Sequence, residues 1–238
     1  MSIIFPEGIT FELRYLSIYD TNPEEIPIDL KFALAKQSRT VYDGDIDTSN
    51  VIDVSYLYDD CNSLARVPMM NFSKVKAMEY TFNYCYRLES IPQFDTSNVT
   101  TFRNCFYQCS SLVTIPELNT SKATKVDGMF GGCYSLRSVP LLDFGNVDNI
   151  YDLFGWNDIE TLTDLGGFKN LKISCTGNLN LLPNLTVQSL MNVINNLYDF
   201  RANGDSTTTE TLQLGTTNLN KLTDEQKAVA TNKGWSLT

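Results

Sequence analysis

The sequence predicts an α/β repeat fold, a solenoid of 24-residue units that is capped at both ends. Two observations predict it. The first is a cysteine that recurs every 24 residues. The second is that each of these cysteines has an aromatic residue three positions before it and a leucine and a proline at fixed distances after it. One such unit cannot bury its apolar face alone, so the units must stack around a shared core. The recurring residues are Tyr58, Phe82, Phe106 and Phe130; Cys61, Cys85, Cys109 and Cys133; Leu64, Leu88, Leu112 and Leu136; and Pro68, Pro92, Pro116 and Pro140.

Each unit divides into a predicted helical half and a predicted extended half. It opens on an Asp/Asn-x-Ser/Gly-x-Val/Ala element, at residues 47–51 in the first unit, and such polar side chains suit a helix start. Apolar residues follow at spacings of three and four, as at Val54, Tyr58, Cys61 and Leu64, which predicts one buried helical face. The second half, Leu-x-x-Val/Ile-Pro, is closed by proline and predicts a brief strand.

These units resemble a known family of repeats. Asp-Thr-Ser-Asn-Val at 95–99 and Met-Phe-Gly-Gly-Cys-Tyr-Ser-Leu at 129–136 are similar to the BspA-like leucine-rich repeats of bacterial surface proteins. The resemblance spans about residues 45–157 and implies a leucine-rich-repeat-type solenoid used for attachment and protein contacts. The chain departs from the pattern afterwards, because Asn157 and Glu160 stand where the next cysteine and leucine would be.

The array divides the chain into three predicted regions: an N-terminal cap or docking segment (1–44), the solenoid (45–180) and a C-terminal capping unit (181–238). In the last region the pattern predicts a helix after Thr186, a strand within 211–215, a helix that begins with a capping box at 223–226 and ends at Gly234, and a final strand at 235–237. This unit resembles the closing unit of repeat proteins from gut bacteria and their phages.

Composition excludes several classes of protein. The formal net charge is −10 and there is no basic stripe, so nucleic acid is not an expected partner. The absence of histidine removes the usual general base and the commonest metal ligand. The amino terminus lacks the positive and apolar regions of a secretory signal, and the sequence has no run of about 20 apolar residues, so membrane insertion is not expected.

The cysteines and acidic clusters predict no cofactor and no metal. A zinc site needs close cysteine pairs, whereas Cys105 and Cys109 are separated by three residues, so a cysteine at every turn is interpreted as a small core filler. Asp43, Asp45 and Asp47 alternate as in a calcium loop, but the glycine and glutamate that such a loop requires are missing. We therefore predict no catalytic and no metal-binding residues.

Six tyrosines are the predicted binding residues. They lie between the core positions, and tyrosine gives a large contact area at a low entropic cost. They can form a ribbon that contacts a protein or a glycan, or they can stack on one another and cover the edge of the repeats. These residues are Tyr56, Tyr80, Tyr84, Tyr86, Tyr107 and Tyr134.

The sequence thus predicts a non-enzymatic binding or structural module. One hypothesis is a phage virion component (a fibre, decoration or tail protein) that is assembled in the bacterial cytoplasm and contacts neighbouring subunits or a host surface protein or glycan. The alternative is a bacterial surface adhesin or secreted interaction protein of the BspA-like type.

Overall fold

The computed structural model of the chain describes residues 51–67, 69–175 and 178–238. Several predictions fall outside these residues. They are the cap or docking segment at 1–44, the aspartates Asp43, Asp45 and Asp47, and Pro68 of the proline series.

The regular elements are short and lie mainly in the C-terminal half. Two-residue strands β1 (Ser138–Val139), β2 (Leu142–Asp143), β3 (Asp164–Leu165) and β4 (Phe168–Lys169) precede a 3-10 helix at Leu179–Leu181. Helix α1 (Val187–Asn196), strand β5 (Glu210–Leu212), helices α2 (Gly215–Leu219) and α3 (Asp224–Asn232), and strand β6 (Trp235–Leu237) follow. Strands β1 and β3, β2 and β4, and β5 and β6 pair in parallel. Within the described ranges, no helix has the length and apolar character needed to cross a membrane.

Parallel β-bridges connect each 24-residue unit of the chain, here called a coil, to the next. Between residues 53 and 149 the bridged residues are 24 positions apart: Asp53 with Ala77, Ala77 with Thr101, Thr101 with Lys125, and Lys125 with Asn149. The register then lengthens to 26 residues, because Ser138 pairs with Asp164 and Leu142 with Phe168. The change in register falls where the sequence departs from the repeat.

The first half of each coil is a series of turns, so the predicted helix is wrong. The amide of Leu57 donates to the carbonyl of Val54, three residues earlier, at 3.1 Å, whereas the amide of Tyr58 donates to Thr81 of the next coil at 2.8 Å. A helix needs every amide to donate four residues back, so this alternation between local and inter-coil bonds excludes one. The predicted burial is nevertheless confirmed for Val54, Tyr58 and Cys61, whereas Leu64 is only partly buried against the core.

Equivalent side chains of successive coils form columns through the core. The ring of Phe106 lies between those of Phe82 and Phe130, with centroid distances of 5.5 and 5.9 Å. Beside this column, the thiol of Cys109 donates to the carbonyl of Phe82 at 3.0 Å. All six cysteines are buried and free, as the prediction of core thiols requires.

The helices and strands of the C-terminal region largely match the predicted ones. Helix α1 begins after Thr186, whose hydroxyl accepts from the amide of Ser189 at 3.1 Å, and α3 begins with a capping box between Thr223 and Gln226. The predicted strand at 211–215 is shorter than expected: β5 ends at Leu212, and α2 begins at Gly215. The amides of Leu214 and Gly215 both donate to the carbonyl of Thr238, which turns the chain away from the strand.

Candidate functional site

A groove crosses the coils between residues 80 and 157. Its volume is about 350 Å³, near the lower end of the range of small-ligand sites. Four successive coils contribute to it. Its aromatic lining residues are Tyr80, Tyr84, Tyr107, Tyr134, Tyr151 and Trp156, and its amide lining residues are Asn83, Asn104, Gln108 and Asn157.

A coil rich in glycine accommodates side chains that line this groove. Gly128, Gly131 and Gly132 stand at the positions that Asn104, Tyr107 and Gln108 occupy in the preceding coil, 24 residues earlier. The side chains of the earlier coil lie over the glycine backbone, so that a β-carbon on Gly131 would lie 2.8 Å from two ring carbons of Tyr107. The glycines therefore make room for the side chains of Asn104, Tyr107 and Gln108, which pack over them and line the groove.

Left-handed backbone conformations recur from coil to coil and continue along the groove. Two columns begin outside it, at Tyr56 (62°) and Asp60 (59°). Within the groove lining, the first column has Tyr80 at 55°, Asn104 at 50°, Gly128 at 61° and Asp152 at 51°, and the second has Tyr84 at 57°, Gln108 at 60° and Gly132 at 76°. This conformation costs a residue with a side chain about 1–2 kcal/mol, and here it belongs to the turns of the repeat.

The structure places four of the six predicted tyrosines in the groove. Tyr80, Tyr84, Tyr107 and Tyr134 line it, whereas Tyr56 and Tyr86 do not. Some of these rings pack on one another, as the alternative interpretation anticipated.

Tyrosine packing fixes one wall of the groove. The Tyr56 ring stacks on that of Tyr80 at a centroid distance of 4.8 Å, and the Tyr84 ring meets Tyr86 and Tyr107 edge-on at 5.9 and 5.8 Å. These contacts limit the motion of Tyr80, Tyr84 and Tyr107, so the rings offer a preformed surface to a ligand.

Two exposed aromatic residues at the C-terminal end of the groove were not predicted. Tyr151 is 69% exposed and Trp156 is 76% exposed. Neither ring contacts another aromatic ring within the part of the chain that the structure describes. The nearby hydroxyl of Tyr134 accepts a hydrogen bond from the Asn157 amide at 3.2 Å. Large apolar rings exposed to this extent beside polar groups are typical of contact surfaces.

The polar groups of the groove are mixed. Arg103, Asp127 and Asp152 are its charged lining residues. Partial burial raises the pKa of the Asp127 carboxyl, and the charge of Arg103 opposes that rise. Asn83, which is 6% exposed, donates to the Asp59 carboxylate at 2.7 Å, but its own Oδ1 is buried and accepts no hydrogen bond in the described structure.

Other reactive groups are distant from solvent. Burial raises the pKa of the thiols, to about 11 at Cys61 and to about 12 at Cys133 and Cys175, so they remain protonated at neutral pH. Among the residues that the structure describes, no group of three or more acidic or cysteine side chains is arranged to hold a metal ion.

Comparisons with known proteins agree with this architecture. The model of a family described as "Mycoplasma protein of unknown function, DUF285" matches residues 29–142, most of which lie in the predicted array. A crystal structure of a leucine-rich repeat protein from T. pallidum matches with a TM-score of 0.54 and 20% sequence identity, over 85% of this chain and 86% of that chain. No curated protein matches the chain. The predicted resemblance of the C-terminal unit to phage proteins finds no support in these matches. The chain thus has a leucine-rich-repeat-like fold.

Proposed function

We propose that this chain is a non-enzymatic attachment module that recognises a partner on another surface through the groove. The observation that carries the proposal is the convergence there of four tyrosines, three of them packed against other tyrosine rings, with the exposed rings of Tyr151 and Trp156. Aromatic residues beside polar groups are enriched in binding surfaces, where they often supply most of the affinity.

Coils stacked as a solenoid suit this role. The stacked core residues position the groove residues, and each coil presents a few surface side chains that packing does not determine. The inter-coil bonds at Asn104, Phe106 and Gln108, all between 2.6 and 3.0 Å, hold the groove floor on a rigid backbone. A preformed site loses little entropy when it binds its partner.

Catalysis is the weaker alternative. An enzyme that uses Asp127 and Asp152 would need a general acid and a general base matched to one reacting group. Asp127, with its raised pKa and its neighbour Arg103, is equally well explained as a partly desolvated carboxyl in a binding groove. The raised pKa values of the buried cysteines weigh against a thiolate nucleophile.

A bacterial surface or secreted module is the setting that we favour. The matching family is described from Mycoplasma, which supports the adhesin alternative over the phage virion component. A position of the gene among cell-envelope genes is expected. A position among capsid and tail genes would restore the virion hypothesis.

Binding measurements with the full chain test the proposal. We expect saturable binding to at least one member of a panel of bacterial cells, animal cells and extracellular-matrix proteins, and its loss in a Tyr151→Ala/Trp156→Ala variant. Met69→Ala is the matched control, because Met69 is 65% exposed and lies outside the groove. Absence of saturable binding, or equal binding by the groove variant, would contradict the proposal.

A further inference from the structure

We infer that the groove binds a neutral oligosaccharide, an inference that rests on the proposed attachment function and names the ligand class of the same groove. The features that carry it are aromatic rings exposed beside uncharged amide groups, in a site where the amides of Asn104, Gln108 and Gly128 already donate to the next coil.

Several backbone amides of the groove are already hydrogen-bonded to the next coil. An extended peptide binds most readily by adding a strand to an open sheet edge, with main-chain hydrogen bonds. Along the groove, however, the amides of Asn104, Gln108 and Gly128 donate to the next coil, to Asp127, Gly131 and Tyr151 at 2.8, 2.6 and 3.2 Å. A ligand must therefore be held mainly by side chains, which favours one that has many hydroxyl groups over an extended peptide.

The side chains of the groove combine aromatic rings with amide groups. One face of a pyranose ring carries C–H groups, which are weakly positive and pack on the negative face of an aromatic ring. Trp156 and Tyr151 offer such faces to solvent. The hydroxyl groups at the edge of a sugar both donate and accept hydrogen bonds, and so do the amide side chains of Asn104 and Gln108.

The orphaned carbonyl of Asn83 adds a buried acceptor to this wall. Asn83 lines the groove together with Tyr80 and Tyr84, and its buried Oδ1 accepts no hydrogen bond from the described residues. A buried acceptor without a partner is costly. A hydroxyl that reached it after a small movement of the wall would remove that cost.

The charged side chains that line the groove are more acidic than basic. Arg103 is the one cation of the groove lining, against the carboxylates of Asp127 and Asp152, and the whole chain has a formal net charge of −10. Sialylated, sulfated or phosphorylated ligands would meet repulsion from this surface. A neutral sugar meets none, and the charged groups can still hydrogen-bond to its hydroxyls.

An oligosaccharide array tests the inference directly. The full chain is applied to neutral oligosaccharides built from glucose, galactose, mannose and N-acetylhexosamines, with sialylated and sulfated oligosaccharides and peptides on the same surface. We expect saturable binding to neutral members. The affinity of the parent chain and of each variant is then measured by isothermal titration calorimetry, which needs no tryptophan. In the parent chain, the tryptophan fluorescence should also change on binding, and that change reports on Trp156 because the other tryptophan, Trp235, is 1% exposed and lies in the core.

Variants of Trp156 locate the sugar. Trp156→Ala should weaken binding at least about tenfold, whereas Trp156→Phe, which keeps a ring, should weaken it no more than about threefold. Met69→Ala should bind as the parent chain does. Because Trp156 is 76% exposed, each variant should keep the parent's melting temperature.

The outcomes separate this inference from the proposed function. Binding only to acidic oligosaccharides or only to peptides, or unchanged sugar binding in Trp156→Ala, overturns the neutral-sugar inference. If the array shows no sugar binding but the groove variant still loses attachment to cells or proteins, the inference fails and the attachment function stands. If attachment itself does not depend on the groove, both fail.

Discussion

The ring of Tyr107 occupies the space that a side chain on Gly131 would need. A β-carbon on Gly131 would lie 2.8 Å from both Cδ2 and Cε2 of that ring, which is closer than real contacts allow. Gly131 has no left-handed φ angle, so the close approach of the ring, and not the backbone conformation, explains the glycine. This pair links the sequence of one coil to the shape of the groove in the next.

A double-mutant cycle tests this relationship. Gly131→Ala should lower the free energy of unfolding by about 1–3 kcal/mol, because the Tyr107 ring must move and lose its edge contact with Tyr84. In a Tyr107→Ser background the same change should cost close to zero. Denaturant titration of the four proteins measures the coupling. Additive costs would show that the ring and the glycine are independent.

Leu112 tests the stacked core. It is fully buried, so Leu112→Ala should lower the free energy of unfolding by about 2–5 kcal/mol. The adjacent Val113 is 39% exposed, and Val113→Ala should change stability by no more than about 0.5 kcal/mol. Thermal and denaturant unfolding compare the two variants. A cost below about 1 kcal/mol at Leu112 would contradict its place in the core.

The thiols should resist labelling in the native protein. Cys85, Cys105, Cys109 and Cys133 are buried, and burial raises the pKa of each thiol above its ordinary value. Both effects suppress the thiolate that reacts with a maleimide. Mass spectrometry after a short pulse at pH 7 should find these sites unmodified, and full modification after unfolding in guanidinium. Rapid native labelling of all four would contradict the stacked coils.

The same cysteines predict loss of stability in alkali. The pKa of each native thiol lies above that of the unfolded thiol, about 8.5. The stability that these groups contribute is therefore fully present below that pH and is lost as the pH rises from there toward the native pKa. Between pH 9 and 10 each thiol that stays protonated in the native state lowers the free energy of unfolding by about 1.4 kcal/mol per pH unit. Cys85→Ala should reduce that slope by one such increment, and an unchanged slope would exclude Cys85 as a contributor.

Periodicity was sufficient to predict the columns of the core and most of the C-terminal unit. The aromatic and cysteine series stack because equivalent residues of successive coils must meet, whatever the backbone between them does. The local conformation was not predictable in this way. Apolar spacings of three and four arise equally from turns that bond alternately to the next coil, and left-handed residues such as Tyr56 and Asn104 have no strong signal in sequence.

The groove was predicted only in part. Variable tyrosines between core positions indicated Tyr80, Tyr84, Tyr107 and Tyr134, but the exposed ends at Tyr151 and Trp156 lie where the repeat pattern fades. One signal could have located the groove. A coil with glycines at 128, 131 and 132, where its neighbour has two amides and a tyrosine, allows those larger side chains to pack across it and line a groove.

Footprinting tests most directly whether the groove is the contact surface. Hydroxyl-radical oxidation, read by mass spectrometry, compares the free full chain with the chain bound to whichever partner the binding panel identifies. We expect the partner to protect Tyr151 and Trp156 at least about fivefold, as for side chains desolvated at an interface, and to leave Met69 unchanged. Protection of other surfaces, with Tyr151 and Trp156 oxidised as fast as in the free chain, would contradict this expectation.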